Sequence, residues 1–312
     1  MPEGMEKMFD KMKVYNKLIK ILDPALVKLD EPLSKHTSFK IGGPADILVI
    51  PRNEEELRKI LKTSREEKII PYVIGNGTNL LVLDKGIRGV IIKIANNMNN
   101  IFFDGTRITA HAGVLLSALS KAAMGKGLTG LEFAGGIPGT VGGAVCMNAG
   151  AYGGEMKNVV VSVEAMDFNG GVKKYSKEEI RFGYRTSIFQ KEKLIILKVC
   201  FELQKGSYNK IKKQMDKLSE RRRKKQPLWE PNAGSTFKRP DGSYAGYLIE
   251  KAGLKGYQIG GAQVSKIHAG FIVNKGNATA KDVLLLIQHI QKTVEEKFGI
   301  KLVPEIKILG ED

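Results

Sequence analysis

Eight glycines fall between residues 135 and 154, in the stretch AGGIPGTVGGAVCMNAGAYGG, far more than a connector needs. Glycine lets a backbone approach a partner closely and leaves amide N–H groups free to face an oxyanion. Such a run reads as the wall of a ligand site. Gly139 to Met147 also suits a short helix whose N-terminus would add its dipole to a diphosphate site. A second segment, GNGTNL at 75–80, follows the apolar run IIPYVI directly. It begins G-x-G, yet it lacks the third glycine, the following helix and the later acid of a dinucleotide fingerprint, so alone it reads as a turn. Two such loops together suit a bulky dinucleotide.

The surroundings alternate between strand and helix. ADILVI at 45–50 reads as a buried strand, Asn53 as the N-cap of a helix through EEELRKILKTSREE, and IIPYVI at 69–74 as the next strand, which makes a βαβ unit. Further strands are expected at LLVL, GVIIKI and TRITAHAG, then at 158–167 and 194–203. A helix is expected from Val114 to about Gly125, with Leu115, Leu119 and Ala122 on its core side. Residues 5–22 suit an amphipathic helix. From 207 to 226 a basic helix places Ile211, Met215 and Leu218 on one side and most of its lysines and arginines on the other. A short helix near YLIEKAG, a strand at FIVN and a long helix from Ala280 to about Phe298 follow. The division of the chain is expected near residue 205.

With 312 residues, 42% hydrophobic and 27% charged, the chain is ordinary for a soluble globular protein of two or three units. No apolar run approaches the length of a membrane span, and the N-terminus lacks the apolar core of a signal peptide, which points to a cytoplasmic protein. Cys146 and Cys200 are too few for a metal site, and none is expected. A formal charge of +17 attracts anions. RRRKKQP at 221–227 would be a handle for nucleic acid, but no aromatic residues interleave with it and a solvated helix face accounts for it. Ser235, in NAGSTFKRP, raises a separate question. A nucleophilic serine wants a base beside it, and the segment holds no histidine; the whole chain has four.

HTSFKIGGPAD at 36–46, GNGTNLLV at 75–82, GGIPGTVGGAVCMNAGAYG at 135–153, FGYRTS at 182–187, GSTFKRPDGSYAGYLIEKAGLKG at 234–256 and PEIKILG at 304–310 together identify a resemblance that spans most of the chain. The sequence resembles the UDP-N-acetylenolpyruvoylglucosamine reductases, flavoenzymes that make UDP-N-acetylmuramate for peptidoglycan. The resemblance implies an α+β architecture. An FAD-binding fold of the vanillyl-alcohol oxidase class, in two subdomains split near residue 90, would cover 26–204 after an N-terminal helix in 1–25. A smaller α+β substrate-binding domain would cover 205–302, and a last strand in 303–312 would carry Glu305 back to the active site.

The resemblance further implies that FAD is held noncovalently, His36 notwithstanding. Its contacts would be Gly42, then Gly75, Asn76, Gly77, Thr78, Asn79 and Leu80 of the first loop. Gly135, Gly136, Pro138, Gly139, Thr140, Gly142, Gly143 and Ala149 would supply the second. NADPH would pass a hydride to FAD, and the reduced flavin would pass it to an enolpyruvyl double bond. That addition leaves enolate character beside the substrate carboxylate, so a proton must be delivered there. Ser235 would then be a proton donor, which removes the need for a histidine, with Lys238 and loop amides favouring its alkoxide form. Arg185 would hold the carboxylate in two hydrogen bonds. Glu305 would either be protonated or hold Arg185 or a water in place.

Lys238, Arg239, Lys266 and His268 are candidates for the UDP diphosphate. The passage from Arg185 to the strand at Leu194 leaves no room for the mobile tyrosine-bearing insertion of the longer members, so the chain resembles the shorter type. Substrate closure then falls to other residues such as Tyr184 or Tyr244. Expected partners are the UDP-sugar enolpyruvyl ether and NADPH, with no nucleic acid and no membrane. The alternative is another FAD-dependent oxidoreductase or oxidase of the same fold.

Overall fold

The computed structural model describes residues 9–95 and 97–311. Helix α1 (Lys11–Ile21) starts at the Asp10 side chain, which accepts from the Lys13 amide. The part of the expected N-terminal helix at residues 5–8 lies outside the described residues. Then follow β1 (Val27–Pro32), β2 (Pro44–Val49), α2 (Glu54–Glu66), β3 (Tyr72–Ile74), β4 (Leu80–Val82) and β5 (Ile87–Lys93). Asn53 caps α2 by accepting from the Glu56 amide, and three glutamates in the first turn complement the helix dipole. The first sheet runs β1-β2-β5-β3, with β1 antiparallel to β2 and both β2 and β3 parallel to β5. The expected βαβ unit is present, but β5 inserts between its two strands. Ile74 and Lys93 pair at the carboxyl edge of that parallel set, and residues 75–80 start there. Open parallel sheets take their ligands at this edge.

The second unit contains β6 (Ile101–Asp104), β7 (Arg107–His111), α3 (Leu116–Gly125), β8 (Leu128–Thr129), α4 (Val141–Cys146), β9 (Gly150–Ala151), β10 (Gly154–Glu155), β11 (Val160–Asp167) and β12 (Val172–Ser176). It continues through α5 (Lys177–Ile180), α6 (Ile188–Lys191), β13 (Leu194–Glu202), β14 (Gln204–Lys205) and α7 (Tyr208–Lys225). Its sheet, β12-β11-β13-β7-β6, is antiparallel throughout. Ile195, Leu197, Val199 and Phe201 alternate along β13 into one core, which α1, α2, α3 and α4 cover. The basic helix α7 packs back onto α3, β8 and the turn at 132–134, with Ile211 buried and the Met215 side chain against Gly135. By its packing α7 groups with the second unit, although the sequence reading assigns it to the region after 205.

The third unit has β15 (Asn232–Ser235), α8 (Ala245–Lys251), β16 (Gln258–Ile259), β17 (Ala262–Val264), β18 (Phe271–Asn274) and α9 (Ala280–Phe298). Its antiparallel sheet runs β15-β18-β17-β16. A capping box of Thr279 and Asp282 starts α9, and Gly299 ends it in the left-handed conformation. The last strand, β19 (Lys307–Leu309), leaves this sheet and pairs in parallel with β4. Strand β4 is thereby shared. Leu81, and Leu83 just beyond it, enter the third unit's core, while Leu80 and Val82 pack beneath the first sheet, as a period of two dictates. Asp84 adds a clasp by accepting from the amides of Ala280 and Lys281 at the start of α9.

Candidate active site

The β19–β4 pairing decides where Glu305 lies. On its way to β19 the chain runs beside residues 236–238: the Glu305 amide donates to the Thr236 carbonyl at 2.8 Å and the Lys238 amide to the Val303 carbonyl at 2.8 Å. On its other side the Lys307 amide donates to the Asn79 carbonyl, and Asn79 Nδ2 donates to the Glu305 carbonyl at 3.2 Å. Glu305 thus sits between the first glycine loop and the strand that ends in Ser235. Arg185 reaches it from the second unit, its Nε–H donating to Glu305 Oε1 at 2.8 Å and its Nη2 to the Gly150 carbonyl at 3.4 Å. Both side chains are largely withdrawn from water, 21% and 13% exposed. Of the alternatives for Glu305, the geometry contains the one in which it holds Arg185. Ser235 is exposed at the end of β15, one residue before the carbonyl that receives the Glu305 amide.

The two glycine loops meet. Asn76 Nδ2 donates to the Pro138 carbonyl at 3.1 Å, and a Cβ on Gly75 would lie 2.6 Å from Thr140 Oγ1. Among the described residues, none of the amides of Gly75, Asn76, Gly77, Thr78 and Asn79 donates to a backbone or side-chain acceptor. Five consecutive amides without a protein acceptor, in residues that are half-buried or buried, suit an anion or ordered water as the acceptor. The loop backbone packs directly against residues 36 and 37. Gly77 adopts φ +64°, and any Cβ there would strike the His36 carbonyl at 2.1 Å.

Other expectations resolve differently. The first amides of α4 are already used: Val141 donates to the Val114 carbonyl, Gly142 to the Ala112 carbonyl and Gly143 to Thr140 Oγ1. The helix start is therefore not the open diphosphate cradle expected from the sequence. Gly135 and Gly136 make room for α7, since Cβ atoms on them would meet Met215 Cε at 3.0 Å and Arg222 Nη1 at 2.7 Å. Gly42, at φ +141°, packs against Val82 and Leu33 beneath the first sheet. Ala149 donates to the Ala144 carbonyl and closes the end of α4.

Among the residues expected to hold the diphosphate, Lys238 and Arg239 are exposed near the site. The Arg239 amide donates to Tyr184 Oη at 3.0 Å, while its guanidinium stacks over the Tyr244 ring at 4.1 Å. Lys266 lies along Gly256, and His268 spends its Nδ1 on the Gly270 amide at 3.0 Å. That leaves His268 only Nε2 as a donor. Burial holds its imidazole below the usual range, which favours the neutral form.

Sequence reasoning missed Arg222. Its Nε donates to Gln226 at 2.7 Å, but Nη1 is buried beside Gly136 and is, among the described residues, the buried side-chain polar atom without a partner. Burial lowers the tendency of this guanidinium to stay charged. An orphaned cationic donor against the second glycine loop fits a bound anionic group. The signal was in the helical spacing: 211, 215, 218 and 222 share one face of α7, so Arg222 belongs to the packed side rather than to the solvated charge run.

A sheet edge with free loop amides, a second glycine loop touching the first, and a buried arginine behind it define an FAD-binding enzyme, and residues 45–176 match the family described as FAD binding domain. The fold alone is shared with 4-ethylphenol oxidase from Gulosibacter chungangensis, at TM-score 0.50 and 16% identity over 65% of this chain and 44% of that one. Residues 226–309 match the family described as UDP-N-acetylenolpyruvoylglucosamine reductase, C-terminal domain. A curated UDP-N-acetylenolpyruvoylglucosamine reductase from Caldanaerobacter subterraneus subsp. tengcongensis is 55% identical over 95% of this chain and 98% of its own. The crystal structure of the Thermus caldophilus reductase superposes at TM-score 0.77 with 36% identity, covering 90% of this chain and 97% of that one. The chain belongs to the UDP-N-acetylenolpyruvoylglucosamine reductase family.

Proposed function

We propose that this chain reduces UDP-N-acetylglucosamine enolpyruvate to UDP-N-acetylmuramate for peptidoglycan synthesis, with NADPH as hydride donor, as a cytoplasmic member of the shorter type. The observation that carries the reading is the convergence of Arg185, Glu305 and the Ser235 strand end beside Asn79 of the first glycine loop. No helix among the described residues is long and apolar enough to cross a membrane.

FAD, when bound, relays the hydride from the nicotinamide to the enolpyruvyl double bond. The amides of residues 75–79 and the Arg222 guanidinium would hold its anionic part. Arg185 pairs with the substrate carboxylate and, as enolate character develops there, stabilises it by charge-assisted hydrogen bonds. Glu305 keeps the guanidinium aimed. Ser235, exposed on the same side, donates the proton that completes the reduction. Tyr184, Arg239 and Tyr244 stand over the site as an exposed cluster that links the turn of the second unit to the third, and they take the place of a tyrosine-bearing insertion.

The test is anaerobic. NADPH is added to the purified flavoprotein, bleaching of the visible flavin band is followed, and the enolpyruvyl substrate is then added. Recovery of the band with formation of UDP-N-acetylmuramate by mass supports the reading; recovery only on admitting oxygen overturns it in favour of an oxidase.

A further inference from the structure

We infer that Gln190 is a positioning residue, locking the turn that carries Arg185 onto the end of the second glycine loop so that the substrate carboxylate and the flavin are held in one register. This rests on the role proposed above for Arg185.

Arg185 sits in a four-residue turn closed by the reciprocal amide bonds of Gly183 and Thr186, and its φ of +55° is a conformation that non-glycine residues rarely adopt. Such strain persists only where the surroundings over-determine it. Here they do. The Gln190 side-chain amide uses both its N–H groups on carbonyls, donating to Arg185 at 2.8 Å and to Cys146, the last residue of α4, at 3.0 Å. Ser187 Oγ donates to the same Cys146 carbonyl at 2.7 Å. At the entry of the turn, Asn148 donates to the Gly183 carbonyl at 2.9 Å while its own Oδ1 accepts from the Lys157 amide. Asn148 is 1% exposed and also has a positive φ, +46°.

Both ends of the turn are therefore pinned to residues 146–148, which end the glycine-rich wall. Asn148 and Ser187 act on the flanks. Among the described residues, Gln190 alone bonds the backbone of the strained arginine itself. An arginine has a long, rotatable side chain, and it can present its fork at a fixed angle only if its Cα is fixed. A misplacement of about 1 Å in such a group costs on the order of 10²-fold in rate.

Two variants separate positioning from folding. Gln190→Leu keeps the volume and removes both donors. Gln190→Glu removes both donors when ionised and restores a single O–H donor when protonated. The expected result for Gln190→Leu is wild-type flavin content and wild-type flavin bleaching by NADPH. Its reoxidation by saturating enolpyruvyl substrate should slow by about 10- to 100-fold, with little change in KM. Relative to wild type at each pH, Gln190→Glu should recover reoxidation as pH falls from about 8 to about 5.5, while Gln190→Leu stays flat. Wild-type reoxidation in both variants, or loss of flavin and of both half-reactions together, overturns the inference. Arg185→Ala serves as the control. If it reoxidises at the wild-type rate, the role proposed for Arg185 fails; if it is slow while Gln190→Leu is not, the positioning role fails.

Discussion

Arg185 and Glu305 stand 120 residues apart in the chain and meet in a 2.8 Å ion pair that joins the second unit to the segment leading into β19. The pair is mostly shielded from water. Removing one member leaves the other charge uncompensated, at a cost of about 1–3 kcal/mol once the residual exposure is allowed for. Glu305→Ala should therefore lower the thermal midpoint by a few degrees and slow flavin reoxidation by about 10²- to 10³-fold. The double variant with Arg185→Ala should be scarcely less stable than either single one, because the two residues share one interaction. Scanning calorimetry of the four proteins checks this.

Ser235→Ala deletes a proton donor and little else, since the residue is exposed. Reduction of the flavin by NADPH should remain near wild type while reoxidation by the enolpyruvyl substrate falls by about 10²- to 10⁴-fold. Anaerobic stopped-flow absorbance separates the two half-reactions. Equal slowing of both would assign Ser235 to the loop architecture instead.

Arg222→Leu removes a buried donor, Nη1, that has no partner among the described residues. Without flavin the variant should be as stable as wild type or slightly more so, because an unsatisfied cationic group has been replaced by an apolar one. Flavin affinity should fall by about 10- to 100-fold, the equivalent of a charge-assisted hydrogen bond. Thermal melts of the flavin-free protein and fluorescence titration with FAD give the two numbers. A variant that melts lower and still binds flavin normally would make Arg222 a structural residue.

Acid should destabilise the fold through its imidazoles. Burial holds His36, His111 and His268 below the ordinary 6.5, and for His36 the neighbouring Lys93 pushes the same way while Glu31 opposes. As pH falls through 6.5 the unfolded chain takes up these protons first, so stability is complete above 6.5 and is lost progressively below it. At His36, Nε2 faces Glu31 at 2.9 Å and Nδ1 faces Lys93 at 3.1 Å, with Lys28 and Lys35 nearby. Glutamine can donate to one partner and accept from the other without titrating. His36→Gln should flatten the fall of thermal midpoint between about pH 6.5 and pH 5.5.

The Cys146 thiol is pushed up to about 11 by burial at the end of α4. Native protein at about pH 8 should leave it unalkylated by iodoacetamide over a period that labels it fully in denaturant. Peptide mass mapping reads the outcome.

Long helices were legible because their signals are local. The Asn53 cap and the glutamates after it announce α2, and the apolar spacing of α9 runs unbroken to Gly299. The parallel pairing of β19 with β4 was not, since it depends on two short strands finding each other across the whole third unit. The proposed catalytic trio came from resemblance alone, because nothing local distinguishes Arg185 from a surface arginine or Glu305 from an edge charge. Asn148 and Gln190 were missed for a related reason: the carbonyls they bond exist as targets only once the Arg185 turn has formed. The glycines at 135 and 136 make room for α7, and in sequence a missing side chain looks the same whether a ligand or a neighbouring helix takes the room.

Because β4 waits for β19, the order of synthesis separates two capacities. A nascent chain that has released α7 already possesses both glycine loops and Arg222, the parts that would grip the flavin, while Glu305 emerges only after the whole third unit has followed. Translation halted in that interval would leave β4 without the strand it pairs with and Arg185 without the acid that steadies it.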